Sequence, residues 1–227
     1  MKVVLFGASG MVGQGVLREC LLDTDVDAVL SIGRSGTGQH HEKLRELVHP
    51  QAGADFTDFG PIAGALEGYD ACFFCLGVSS AGMTEADYRR VSFDFTLAAG
   101  RALAAANPDT LTFVYVSGAG TDSTEQGRTM WARVKGATEN ALMKLPFKGA
   151  YMFRPGIIQP LHGIKSKTRL YRAGYVLMAP FFPIVKALAR GSMLTTEQVG
   201  RAMLAVAKRG ADKPLLEARD IAALAPA

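Results

Sequence analysis

A doubly wound α/β fold, a parallel sheet wrapped by helices with a small C-terminal lobe, is predicted by three features of this sequence. A short apolar strand at the start runs straight into a glycine-rich turn and a helix. Strand-like runs then alternate with longer amphipathic segments, and after residue 156 the chain changes character. Strands alternating with helices are the pattern of a parallel sheet covered on both faces.

Residues 3–6, Val-Val-Leu-Phe, make the first strand, and Gly7, Gly10 and Gly13 follow it at once, leading into the periodic run Val12, Val16, Leu17, Leu21. Each glycine has its own reason. The chain must turn sharply at Gly7, a Cβ at Gly10 would hold a pyrophosphate off the backbone, and a side chain at Gly13 would wedge the helix from the sheet. The opened helix offers its unpaired N–H groups and positive dipole end to a phosphate. The spacing GxxGxxG differs from the usual GxGxxG, so its weight comes from its place between a strand and a helix, with a second strand following at 28–32. The expected ligand is a dinucleotide lying on Gly7, Ser9, Gly10, Met11, Val12 and Gly13, and the architecture is Rossmann-type.

The other elements follow in order. Strands are expected at 28–32, 54–56, 71–76, 111–117 and 150–153, a short helix at 41–48, and longer helices at 84–106 and 129–144. Asn107-Pro108 and Leu145-Pro146 stop the last two. Beyond Phe153, residues 156–167 are rich in glycine, proline and polar side chains, 169–189 read as a broken helix, Thr195 caps a helix over 196–208, and 214–217 add an edge strand. Residues 1–156 are thus read as the dinucleotide-binding core, and 157–227 as a small lobe with closing helices, the two forming one compact unit. The cofactor falls to the first part and the substrate to the second.

At 227 residues with a net charge of +4 and no stacked aromatic motif, the chain does not point to nucleic acid, and a small-molecule substrate is expected. The N-terminus enters the first strand directly, so no secretory signal is expected. Three cysteines fit a reducing compartment, the cytoplasm, with Cys72 and Cys75 as core thiols and no metal site. The apolar run 176–189 contains Pro180 and Pro183 and is too short to span a bilayer, so membrane association is not expected. Packing against the core, a lid, a dimer face and an interfacial anchor all fit that run. The neighbouring Lys165, Lys167, Arg169 and Arg172 suit an anionic substrate, lipid headgroups or plain solvation.

Arg34 ends the second strand where a carboxylate would bind the ribose of NAD. A guanidinium there instead pairs with a 2′-phosphate, with Ser35 adding a hydroxyl, so NADP is favoured over NAD. His40, His41 and Lys43 either join that phosphate site or are merely solvated. Asp55 and Phe56, after the third strand, are placed against the adenine. Leu76 and Gly77 close the fourth strand, where a glycine lets the backbone run under the riboses. On the helix after the fifth strand, Trp131 and Lys135 are four apart and share a face, and Lys135 is in reach of the nicotinamide ribose.

These words, in order, resemble a known family. Gly7 to Gly13, Phe74-Cys75-Leu76-Gly77, Val116-Ser117, Val134-Lys135-Gly136 with Glu139, and Phe153-Arg154-Pro155-Gly156 are similar to the atypical, extended-type short-chain dehydrogenase/reductases, in the epimerase-like or NmrA-like branch. The resemblance implies a Ser, Tyr, Lys set in which tyrosine exchanges the proton, lysine lowers its pKa and grips the ribose, and serine orients the substrate. Lys135 takes the lysine role and Ser117 the serine role, and the tyrosine position is Trp131. The resemblance also sets Pro155, Gly156 and Ile157 against the nicotinamide carboxamide. An indole N–H donates a hydrogen bond but exchanges no proton near neutral pH, which leaves Tyr115, Tyr151, Tyr88 or His162 to supply one. Two functions follow: an NADP-dependent oxidoreductase of unidentified substrate, or a non-catalytic module that senses NADPH and reports to a protein partner. Quinone or membrane-associated reduction is a third, resting only on the apolar run and its basic flank.

Overall fold

The computed structural model describes residues 1–50, 55–164 and 193–225. Strand β1 (Lys2–Phe6) lies inside a seven-stranded sheet, third from one edge. On one side stand β2 (Ala28–Gly33) and the edge strand β3 (Leu44–Val48). On the other stand β4 (Ala71–Phe74), β5 (Thr112–Val116), β6 (Gly149–Arg154) and the far edge strand β9 (Leu215–Glu217), and every pairing is parallel. Two further strands, β7 (Ile157–Gln159) and β8 (Met193–Thr195), pair in a small parallel sheet of their own. The strand order reverses between β1 and β4, which opens a crevice at the carboxyl ends of the strands.

The sheet forms because its central strands are apolar on both faces. Val3, Val4, Leu5 and Phe6 are each 0% exposed. Val3 and Leu5 join a core with Val16 and Leu17 of helix α1 (Met11–Leu22), while Val4 and Phe6 join a second core with α3 (Phe95–Ala106). The helix expected at 84–106 is α2 (Glu85–Arg89) running through a π turn (Arg90–Asp94) into α3. Helix α4 is Met130–Leu142, α5 is Thr196–Arg209 and α6 is Ala218–Leu224.

Residues 193–225 return to this core. Thr195 and Gln198 cap α5 reciprocally, each side chain bonded to the other's backbone N–H at 3.0 Å. Helix α5 then lies close on α1, because a Cβ at Gly15 would stand 2.5 Å from Thr196 Cβ and one at Gly200 would stand 2.7 Å from Glu19 Cγ.

The sequence reading is corrected in one region. Residues 41–48 do not form a helix: 44–48 are β3, paired with β2 from Val29–Leu44 to Gly33–Val48. Leu44 and Leu47, three apart, mimic helical spacing, but in a strand an odd separation sends them to opposite faces, and they pack into the two different cores. Asp55 and Phe56 accordingly lie in a turn and not in a third strand at 54–56, of which Ala54 is outside the described residues. The apolar run 176–189 and the basic cluster Lys165, Lys167, Arg169 and Arg172 also lie outside them.

Candidate functional site

The turn between β1 and α1 is built by its glycines. Gly7 has φ +81°, and a Cβ there would meet Leu76 N at 2.6 Å, so only glycine can bring the chain this close to the end of β4. A Cβ at Gly13 would stand 2.1 Å from the Gly7 carbonyl oxygen, so α1 sits directly on the turn. Gly10 differs from both: among the described residues its Cβ would meet Gly7 O alone, at 3.3 Å. Gly10 is the N-cap of α1, no side chain caps it, and the first turn carries no acidic residue. Gln14 Nε2 steadies the loop by donating to Ser9 O at 3.1 Å. Uncapped first-turn N–H groups and the positive end of the dipole fit a pyrophosphate over Ser9, Gly10, Met11 and Val12.

Arg34 and Ser35 are exposed just past the end of β2. Their loop is tied to the edge strand by Glu46, whose Oε1 accepts the Thr37 N–H at 2.6 Å. Asp55 is exposed, and its carboxylate accepts from the backbone and hydroxyl of Thr57, both at 2.9 Å, which holds it below the usual carboxylate range. Phe56 packs 5.5 Å from Phe95, with the Arg90 guanidinium 5.1 Å from its ring centre. Leu76 is half-buried past the end of β4, and a Cβ at Gly77 would meet none of the described residues within 4 Å.

A second set of residues gathers at the carboxyl ends of β5 and β6. Ser117 Oγ donates to Glu139 Oε1 at 2.5 Å and also lies 3.1 Å from Phe153 O. Glu139 is 0% exposed and is gripped by Arg154, through Nη2 at 2.5 Å and Nε at 3.1 and 3.2 Å. Arg154 also donates to Ser123 Oγ. The loop carrying Asp122 and Ser123 crosses α4 at Gly136, where a Cβ would stand 1.7 Å from Asp122 O. Trp131 lies over the same loop, 3.7 Å from where a Cβ on Gly120 would be. Pro155 O accepts the Ala119 N–H at 2.8 Å, and beyond Pro155 both Gly156 and Ile157 are exposed.

Lys135 Nζ donates to Val116 O at 3.3 Å and lies 5.3 Å from the centre of the Tyr115 ring. Burial lowers its pKa from 10.5 to about 8, against a smaller opposing pull from Glu139. Between those two pH values the unfolded chain holds this proton and the folded chain does not, so the group adds stability as pH rises through the window and withdraws it below. Lys135→Met is therefore expected to be more stable than the parent at pH 7, the gap narrowing toward pH 10.5. Thermal unfolding of both proteins across that range checks it, and a gap that stays constant with pH would show that burial leaves Lys135 unperturbed.

No protein-family model matches this chain. It is 28% identical over 157 residues to the protein HTATIP2 of Rattus norvegicus, covering 69% of this chain and 62% of that one. To the mitochondrial protein fmp52-2 of Aspergillus oryzae it is 25% identical over 158 residues, covering 68% and 66%. The match thus spans less than two thirds of these curated relatives. Among solved structures, it shares its fold with the enzyme WbmF of Bordetella bronchiseptica in complex with NAD+, at a TM-score of 0.65 and 18% identity over 98% of this chain and 76% of that one. An oxidoreductase of the short-chain dehydrogenase/reductase family from Burkholderia thailandensis gives 0.65 and 16%, over 95% and 89%. By sequence the chain is thus similar to HTATIP2 and fmp52-2, and by structure it has the Rossmann-type fold of these dehydrogenases.

The structure places the tyrosines and the histidine that the sequence reading offered as other sources of a proton. Tyr115 is 1% exposed in β5, its hydroxyl bonded to Thr138 and its pKa pushed up by burial. Tyr88 is 2% exposed in α2. Tyr151 stands beside Gly210, its hydroxyl 3.0 Å from where a Cβ there would be. His162 Nε2 pairs with Glu197 Oε2 at 2.7 Å on the surface. The sequence reading gave Glu139 and Arg154 only as parts of motifs and overlooked Glu46. Glu139 carried a usable signal, since it stands four residues after Lys135 and eight after Trp131 and so shares their helix face.

Proposed function

We propose that this protein binds NADP(H) and works as an oxidoreductase on a small-molecule substrate, with Trp131 standing where the family's tyrosine would be. The observation that carries the reading is the turn at Gly7, Gly10 and Gly13, which sets an uncapped helix N-terminus without acidic residues at the carboxyl end of β1. In this reading that turn, with Ser9, Met11 and Val12, holds the pyrophosphate. Arg34 and Ser35 hold the 2′-phosphate, Asp55 and Phe56 meet the adenine, and Leu76 and Gly77 pass under the riboses. Lys135 grips the nicotinamide ribose, and Pro155, Gly156 and Ile157 orient the carboxamide. A bound dinucleotide would supply the hydride chemistry. The free thiols of Cys20, Cys72 and Cys75 suit the cytoplasm as its compartment.

Arg34→Asp tests the cofactor choice. It removes a charge-assisted contact and sets a carboxylate against the 2′-phosphate, so NADPH affinity is expected to fall on the order of 100-fold while NADH binding holds or improves. Calorimetric titration of parent and variant with both nucleotides reads it. Unchanged NADPH affinity with no gain for NADH would remove Arg34 from the site, and no binding of either nucleotide by the parent would overturn the whole reading.

A second reading, an NADPH-sensing module that signals to a protein partner without turnover, is favoured by Trp131 together with the Ser117 hydroxyl, which is already engaged by Glu139 and Phe153. Such a protein would bind NADPH tightly and oxidise it with no acceptor.

A further inference from the structure

We propose that Lys135 is the proton donor of this site, its ammonium group handing a proton directly to the substrate oxygen in place of a tyrosine hydroxyl. This inference rests on the oxidoreductase reading and deepens it. Geometry carries it by position and by elimination. Lys135 Nζ lies at the carboxyl end of β5, against the carbonyl of Val116 and one residue from Ser117, where the substrate is expected. That carbonyl is its only hydrogen-bond partner among the described residues, which leaves ammonium N–H bonds for ribose and substrate.

The other candidates around it are committed elsewhere. Trp131 has no acidic proton to give. The Ser117 hydroxyl has one hydrogen and two protein acceptors, Glu139 and Phe153 O. Glu139 is fully buried against the Arg154 guanidinium, and Tyr115 is buried with its hydroxyl on Thr138. His162 is engaged by Glu197. Among the described residues the titratable groups facing Lys135 are Glu139, one turn on along α4, which favours the charged form, and Tyr115 in β5, to which Tyr88 of α2 is coupled. Burial outweighs Glu139 and brings the amine to about 8, near the pH at which a proton donor works best.

The step balances as a carbonyl reduction. The carbonyl carbon accepts a hydride from a reduced nicotinamide dinucleotide, forming a C–H bond as the π pair moves onto oxygen. An N–H bond of Lys135 breaks and its proton forms the new O–H. The products are an alcohol, an oxidised dinucleotide and a neutral amine, which solvent reprotonates.

Two measurements on the full chain test it. The first follows the lysine side-chain resonances of the isotope-labelled protein from pH 6 to 11, with and without NADPH, the Lys135 signal being assigned by its loss in Lys135→Arg. One lysine titrating near 8 is expected, and a Lys135 that stays charged past pH 10 overturns the inference. The second measures NADPH oxidation by a panel of aldehydes and ketones against pH. The parent is expected to lose kcat on the alkaline side near pH 8, and Lys135→Arg to lose kcat on the order of 100-fold or more at saturating NADPH, its nucleotide affinity being titrated separately. Unimpaired turnover in Lys135→Arg, or a parent profile flat through pH 10, overturns the inference while the oxidoreductase reading stands. If the parent binds NADPH and oxidises it with no member of the panel at any pH, that reading falls and takes the inference with it. The parent's own titration and profile decide the matter even if the variant does not fold.

Discussion

Alanine at Glu139 is expected to lower the stability of the protein by about 3–5 kcal/mol, the usual cost of stripping one partner from a buried ion pair. The Arg154 guanidinium, with only 10% of its side chain exposed, would lose the carboxylate that takes its Nε and Nη2 hydrogens. The more distant Glu217 at 3.4 Å is half-exposed and replaces little of it. Ser117 Oγ would lose its acceptor at the same time and turn to Phe153 O. Glu139→Gln keeps the shape and one carbonyl oxygen, so it should fall between parent and Glu139→Ala. Urea unfolding of the three proteins reads the series. A loss below about 1 kcal/mol in Glu139→Ala would mean that water or a shifted side chain satisfies Arg154, and the pair would not be what joins α4 to β6. The same change bears on Lys135, because Glu139 favours its charged form, so the amine should titrate lower still in Glu139→Ala.

What the sequence made legible was local. The glycine turn, the strand ahead of it and the helix behind it are neighbours in the chain, so each residue's reason for being there lies within a few positions. The cap at Thr195 and the edge strand near residue 215 were legible for the same reason. Where the reading went wrong, the deciding partner was remote. Residues 44–48 satisfy a helical pattern as well as a strand pattern, and only the free edge of β2 decides between them. The partner of the Ser117 hydroxyl was not legible for the same reason: Glu139 lies 22 positions along the chain, on a helix whose approach depends on the absent side chain of Gly136. A buried glutamate on the face that carries Trp131 and Lys135 must find a cation, but the sequence alone does not say that the cation is Arg154.

Gly10→Ala and Gly13→Ala are expected to fail in opposite ways, and the contrast separates the ligand from the fold. A methyl at Gly13 would stand 2.1 Å from Gly7 O and 2.6 Å from Gly7 C, both backbone atoms, so α1 must lift off β1. Alanine is the better helix former by about 1 kcal/mol, yet overpacking against a fixed backbone costs on the order of 3 kcal/mol, so the protein should be clearly destabilised. At Gly10 the backbone has φ −83° and ψ 167°, a conformation open to any residue, and the methyl meets one oxygen at 3.3 Å. Stability should therefore change by less than about 1 kcal/mol, since no core contact is lost and no strained torsion is imposed. The methyl instead stands at the uncapped N-terminus of α1, where the pyrophosphate is proposed, and NADPH affinity should fall on the order of 100-fold, about 2.7 kcal/mol. Calorimetric unfolding and nucleotide titration of the two variants give the four numbers needed. A Gly10→Ala protein that binds NADPH as tightly as the parent would mean that no pyrophosphate lies over this turn. One that unfolds as readily as Gly13→Ala would mean that Gly10, too, is there for packing.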